Sequence, residues 1–111
     1  MDLTDMSANM VYAQVYNMVN APEEYRRKSV KMRGLFGIRQ DEKTGAWHYG
    51  CIIQDALACC AQGIEFIPEK EMTFPDDFPE PGEEITVSGV FDFTTDGQTI
   101  NCILRQAVME E

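Results

Sequence analysis

A chain of 111 residues, 44% of them hydrophobic, has the size of one compact domain with a single core. Nineteen Asp and Glu against nine Lys and Arg leave a formal net charge of -10, which disfavours both nucleic-acid phosphates and anionic membranes as partners. No apolar run approaches the roughly 20 residues needed to span a bilayer, and "MDLTDMSANM" lacks the basic and apolar regions of a secretory signal.

Helical spacing comes first. In "DMSANMVYAQVYNMVN", Val11, Val15, Met18 and Val19 line one face, with Tyr12 and Tyr16 on its flank, which predicts an amphipathic helix over about residues 5 to 20. Thr4, Asp5 or Ser7 is placed to cap its start, and Asn20 and Pro22 mark its end. "APEEY" then reads as a single turn that opens on proline.

Period two follows. In "KSVKMRGLFGIR", Val30, Met32, Phe36 and Ile38 share a face that Lys31 and Arg33 avoid, and Gly34 falls on the inward side, where a missing side chain suits a bent strand. "DEKTG" supplies a turn, Trp47, Tyr49, Cys51 and Ile53 alternate inward along a second strand, and "GIEFIP" offers a third through Ile64 and Phe66. Four of the five prolines fall between Pro68 and Pro81, which predicts a loop, with Phe74 and Phe78 too apolar for a free linker. Ile85, Val87, Phe91 and Phe93 mark a fourth strand with Gly89 inward, "TTDGQ" a turn, and Ile100, Cys102 and Leu104 the inward face of a fifth, opposite Asn101, Ile103 and Arg105. One helix and five strands, the first long and glycine-bent, predict a mainly β domain spanning residues 1–111, with an OB-fold-like barrel over about residues 28 to 109.

The residues that could carry chemistry are few. Cys59 and Cys60 adjoin in "LACCAQG", open to three readings: a metal-thiolate (zinc-type) site, redox pairing with each other or with Cys102, and two small structural side chains. Zinc sites usually draw on cysteines two to four residues apart, so an adjacent pair would need an irregular turn. Cys51 and Cys102 fit small buried hydrophobes, and His48, the sole histidine, fits a solvent-facing strand position opposite in parity to Cys51. Asp76-Asp77 and Glu83-Glu84 fit solvated loop acids; Tyr12, Tyr16 and Trp47 could form an aromatic recognition platform, though packing explains Tyr12 and Tyr16 more simply; and the seven methionines form no close-spaced copper cluster.

"PEEYRRKSVKMRG" and "PGEEITVSG" resemble the P-x-x-Y-x-x-K-x-V-x-x-x-G and G-x-x-I-x-V-x-G segments that open and close OB-type modules of exported bacterial proteins. "CIIQDALACCAQGIEF" with "GEEITVSGVF" resembles small bacterial lipoprotein-type domains of unknown function. It is also distantly similar to the C-terminal domain of a permease-associated membrane protein family carrying Cys-Cys-Ala-Asp; Cys59, Cys60 and Ala61 match, and Gln62 stands in place of the acid. The resemblance implies an extracytoplasmic domain tethered through a segment, or a lipid anchor, outside this chain, and implies no activity.

No catalytic constellation emerges. The expectation is a non-enzymatic OB-like binding or interaction module, the soluble part of an exported bacterial lipoprotein, whose partner is a protein or small ligand and not nucleic acid, with no cofactor. The alternatives are a zinc-type domain using Cys59 and Cys60, and an oligosaccharide- or nucleic-acid-binding OB domain.

Overall fold

The computed structural model describes residues 1–54 and 61–110, apart from the side chains of residues 61 and 96. Helix α1 (Ala8–Asn20) begins three residues later than its spacing suggests, because Ser7 is the residue that caps it, its hydroxyl accepting from the Met10 amide. Thr4 is already engaged, its amide and hydroxyl both donating to the Asp2 carboxylate. Val11, Val15 and Met18 form the buried face of α1, and Pro22–Glu24 make a 3-10 turn that separates it from the sheet.

Five strands follow: β1 (Ser29–Gln40), β2 (Trp47–Gln54), β3 (Ala61–Pro68), β4 (Glu84–Asp96) and β5 (Thr99–Glu110). They close into a barrel in the order β1-β2-β3-β5-β4, every pairing antiparallel except β3 with β5. This is a Greek-key barrel of the OB type, with α1 packed against it. The core is the inward set expected from period two: Val30, Met32, Phe36, Cys51, Ile64, Phe66, Val87, Phe91 and Leu104 are all at most 1% exposed.

Strand β1 pairs with β4 over residues 29–35 and with β2 over 35–40, so Leu35 has partners on both sides and the strand bends there. Gly34 stands at that bend. The wall beside the first half of β1 is completed by residues 1–3, whose backbone exchanges hydrogen bonds with Lys31 and buries Leu3, a contact that no periodicity announces.

Three inward assignments fail at the strand ends. Ile100 is 49% exposed and Trp47 38% exposed, and Phe93 is half-buried. For Phe93 and Ile100 the reason is shared: the β4–β5 hairpin runs past the ring, its Asp92–Thr99 portion turning at Gly97-Gln98, and beyond Phe91 and Ile103 its strand residues pair only with each other. Ile103, expected outside, is buried between its register partners Glu65 and Asp92. Farther along, Ser88 pairs with Val108 but Val90 with Arg105, so β5 carries one extra residue. Gln106 sits in this bulge with φ 53, and side-chain parity reverses across it: Ala107 faces inward and Val108 is turned out.

Candidate ligand-binding face

Antiparallel partners share a face, so the outer surface of β1–β2–β3 can be read as rows. Leu35, Ile52 and Gly63 form one row, Gly37, Gly50 and Glu65 the next, and Arg39 and His48 a third. Three strands therefore present glycines at neighbouring outward positions. They leave a depression of about 210 Å³ bordered by Arg39, His48, Ile52 and Glu65.

The barrel's glycines divide into two kinds. A Cβ on Gly34 would stand 2.6 Å from the Ile52 carbonyl oxygen, and one on Gly89 would stand 2.8 Å from that of Arg105, so packing excludes a side chain at both. A Cβ on Gly50 or Gly63 would meet nothing nearer than 3.6 Å and 3.8 Å, and neither residue has a left-handed φ. Glycine inside a strand weakens it by roughly 0.5–1 kcal/mol relative to alanine. Packing therefore accounts for Gly34 and Gly89 but not for the bare backbone at Gly50 and Gly63. At Gly37 the side chain of Ile52 lies across the Cα, its Cδ1 2.6 Å from where a Cβ would be.

The polar edge of the depression balances itself. Glu65 lies between His48 Nδ1 at 3.1 Å and Arg39 Nη2 at 3.7 Å, all three partly or largely exposed. His48 thus faces outward as expected, while Cys51, of opposite parity, is sealed in the core, where burial pushes its thiol up to about 12. Cys102 is half-buried, and burial raises its thiol as well. Cys59 and Cys60 lie outside the described residues.

Four basic side chains elsewhere reach a carboxylate. Arg26 and Arg105 both reach Asp92, at 2.9 Å and 2.7 Å, Lys31 reaches Glu110 at 2.7 Å, and Arg33 stands 4.0 Å from Glu84. Three of the five cations from Arg26 to Arg33 thus reach a carboxylate, Arg26 sharing its own with Arg105, and Lys28 lies over the Tyr25 ring. The loop acids serve the backbone: Asp77 accepts from Thr73 N and Glu83 from Glu80 N. Aromatic side chains gather at one end of the barrel instead of on its outer face. Phe78 stacks on Tyr49 and Phe36 with centroids 4.1 Å and 5.4 Å away, and Phe74 meets Trp47 at 5.0 Å, so the Pro-rich loop straps that end shut. Tyr12 packs on the core and Tyr16 is exposed.

Sequence reasoning anticipated the outward His48 but missed the glycine rows. The signal was present, since Gly37, Gly50 and Gly63 all fall at outward parity, but their adjacency depends on cross-strand register. No protein-family model matches the chain, and no curated protein matches it. Among solved structures, it is similar to the crystal structure of a putative nucleic acid-binding lipoprotein from Klebsiella pneumoniae subsp. pneumoniae MGH 78578, with a TM-score of 0.54 and 14% identity over 100% of this chain and 92% of the other. At that identity the likeness is one of fold. No helix among the described residues is long and apolar enough to cross a membrane.

Proposed function

We propose that the protein is a non-enzymatic binding module, the extracytoplasmic part of a bacterial lipoprotein, that takes an extended, electrically neutral ligand on the Gly37–Gly50–Gly63 face. The chemistry suited to that face is that of an oligosaccharide chain. The observation that carries the reading is that Gly50 and Gly63 have room for side chains and lack them, on the strands where OB barrels bind oligosaccharides and oligonucleotides. A bare sheet lets a flat ligand approach the backbone, and the Arg39–Glu65–His48 group offers donors and an acceptor to hydroxyls without net charge.

The Klebsiella structure supports the lipoprotein assignment and raises nucleic acid as a second ligand class. Electrostatics disfavour that class. A phosphate on this face would meet Glu65, and Arg39, the one Lys or Arg bordering the depression, is already paired with it. With a net charge of -10, little remains to drive the counterion release on which phosphate binding depends. The zinc-type reading rests on Cys59 and Cys60 alone, and metal analysis of protein purified under reducing conditions decides it separately.

The test is an amide-shift titration with a panel of neutral oligosaccharides and with single-stranded dT12 at moderate salt. Shifts centred on Gly37, Gly50, Ile52 and Gly63 that appear with a saccharide and vanish in Gly50→Val support the reading. Saccharide binding that Gly50→Val leaves intact refutes this face, and tight dT12 binding that weakens steeply with salt replaces the proposed ligand class.

A further inference from the structure

A second concavity lies away from the glycine face and shares no residue with it. About 590 Å³ in volume, it opens between the Pro-rich strap, the start of β4 and the end of β5, within the range of roughly 300–1,000 Å³ typical of ligand clefts. Its apolar lining consists of Met72, Phe78, Ile85, Val108 and Met109. Val108 belongs to that lining because of the bulge at Gln106. Without the extra residue, its parity would turn it into the barrel, whereas here it is 48% exposed.

The rim is acidic. Glu69, Asp76, Asp77, Glu84 and Glu110 line the cleft against a single cation, Lys70. Lys31 engages Glu110, Arg33 stands near Glu84, and Asp77 accepts a backbone amide, while Glu69 and Asp76 have no ion-pair partner among the described residues. An apolar trough with surplus negative charge on its edge, on a chain of net charge -10, complements a partner that pairs cations with an apolar anchor.

We propose that the cleft between residues 69–79 and the ends of β4 and β5 docks a basic peptide segment of a partner protein, an apolar side chain entering beside Val108 and Met109 while flanking Lys or Arg face Glu69 and Asp76. The backbone conformation at Gln106, unusual for a residue with a side chain, serves to present this floor.

The test uses the whole chain and three probes: a peptide alternating Lys and Leu, its Glu and Leu counterpart, and spermidine. The Lys–Leu peptide is expected to shift the amides of Met72, Val108 and Met109, with binding that weakens as salt rises. Val108→Ser and the double variant Glu69→Gln/Asp76→Asn should each weaken it at least fivefold with melting temperatures unchanged, and the Glu–Leu peptide should not bind. Absence of Lys–Leu binding, equal binding of spermidine, insensitivity to both variants, or shifts scattered over the acidic surface would each overturn the proposal.

Discussion

Gly34 and Ile52 approach so closely that a Cβ on the glycine would stand 2.6 Å from the isoleucine carbonyl oxygen, with Cys51 Sγ at 2.8 Å. Backbone cannot retreat as a flexible side-chain end can. Gly34→Ala should therefore destabilise the barrel by about 1–3 kcal/mol, the usual cost of overpacking, and Gly89→Ala, facing the Arg105 carbonyl, should behave alike. Gly50→Ala, with open space around its Cβ, should be neutral or stabilising by up to about 1 kcal/mol. Urea titrations of the three variants check the contrast; equal losses at all three would mean that Gly50 is also a packing glycine.

Asp92 ties the exposed hairpin to the first turn of the barrel. Its carboxylate accepts from Arg105 Nε at 2.7 Å, from Phe93 N at 2.8 Å and from Arg26 Nε at 2.9 Å, and these contacts, that of Arg105 foremost, hold its pKa at about 2 against an ordinary 3.8. Because the folded value lies below the unfolded one, the stabilisation is present above pH 3.8 and lost as pH falls towards 2. Asp92→Asn should cost about 1 kcal/mol at neutral pH and flatten the acid limb of the stability profile. Chemical denaturation between pH 2 and 7 reads both effects, and parallel profiles for the two proteins would contradict the assignment.

Cys51 should resist alkylation in the native, reduced protein. Its side chain is buried, and the thiolate that would react is suppressed by desolvation, its pKa raised to about 12. Mass spectrometry after timed iodoacetamide exposure should find Cys51 unmodified until denaturant is added. Rapid native labelling at this position would show that the β1–β2 wall opens.

Gln106 holds a left-handed backbone, φ 53, without the freedom of glycine. Gln106→Gly should remove a strain of about 1 kcal/mol and raise the melting temperature by a few degrees. A drop in melting temperature would indicate that the glutamine side chain contributes contacts worth more than the strain.

Much of the architecture could be read from alternation alone. Val30, Met32, Phe36, Cys51, Ile64 and Phe66 lie inside as their period predicts, and Gly34 bends β1 as a missing side chain at an inward position suggests. Alternation failed where local parity no longer reports the core. Carried past the bulge at Gln106 it would point Val108 the wrong way, and at the hairpin tip it assigns Ile100 to a core that does not reach that far. Neither proposed surface was legible. The glycine face depends on which residue of β2 lies opposite Gly37, and the acidic cleft brings Glu69 and Asp76 beside Glu110 through the fold of the strap. Those relationships arise from register and closure, which one-dimensional patterns do not encode.

The parallel seam between β3 and β5 closes the ring through the register pairs Glu65 with Ile103, Phe66 with Leu104 and Pro68 with Ala107, across the same bulge. The Pro68–Ala107 rung is made through Glu69 N, which donates to the Ala107 carbonyl at 2.9 Å, so the missing N–H of Pro68 costs the seam nothing. The hydrogen bonds that join β3 to β5 also span the longest separations along the chain of any strand pair except β1 with β4, and β5 is the fifth of the five strands in chain order. Four strands in the order β3-β2-β1-β4 make only an open sheet with two free edges, and it is β5, pairing with both edges at once, that turns the sheet into a cylinder.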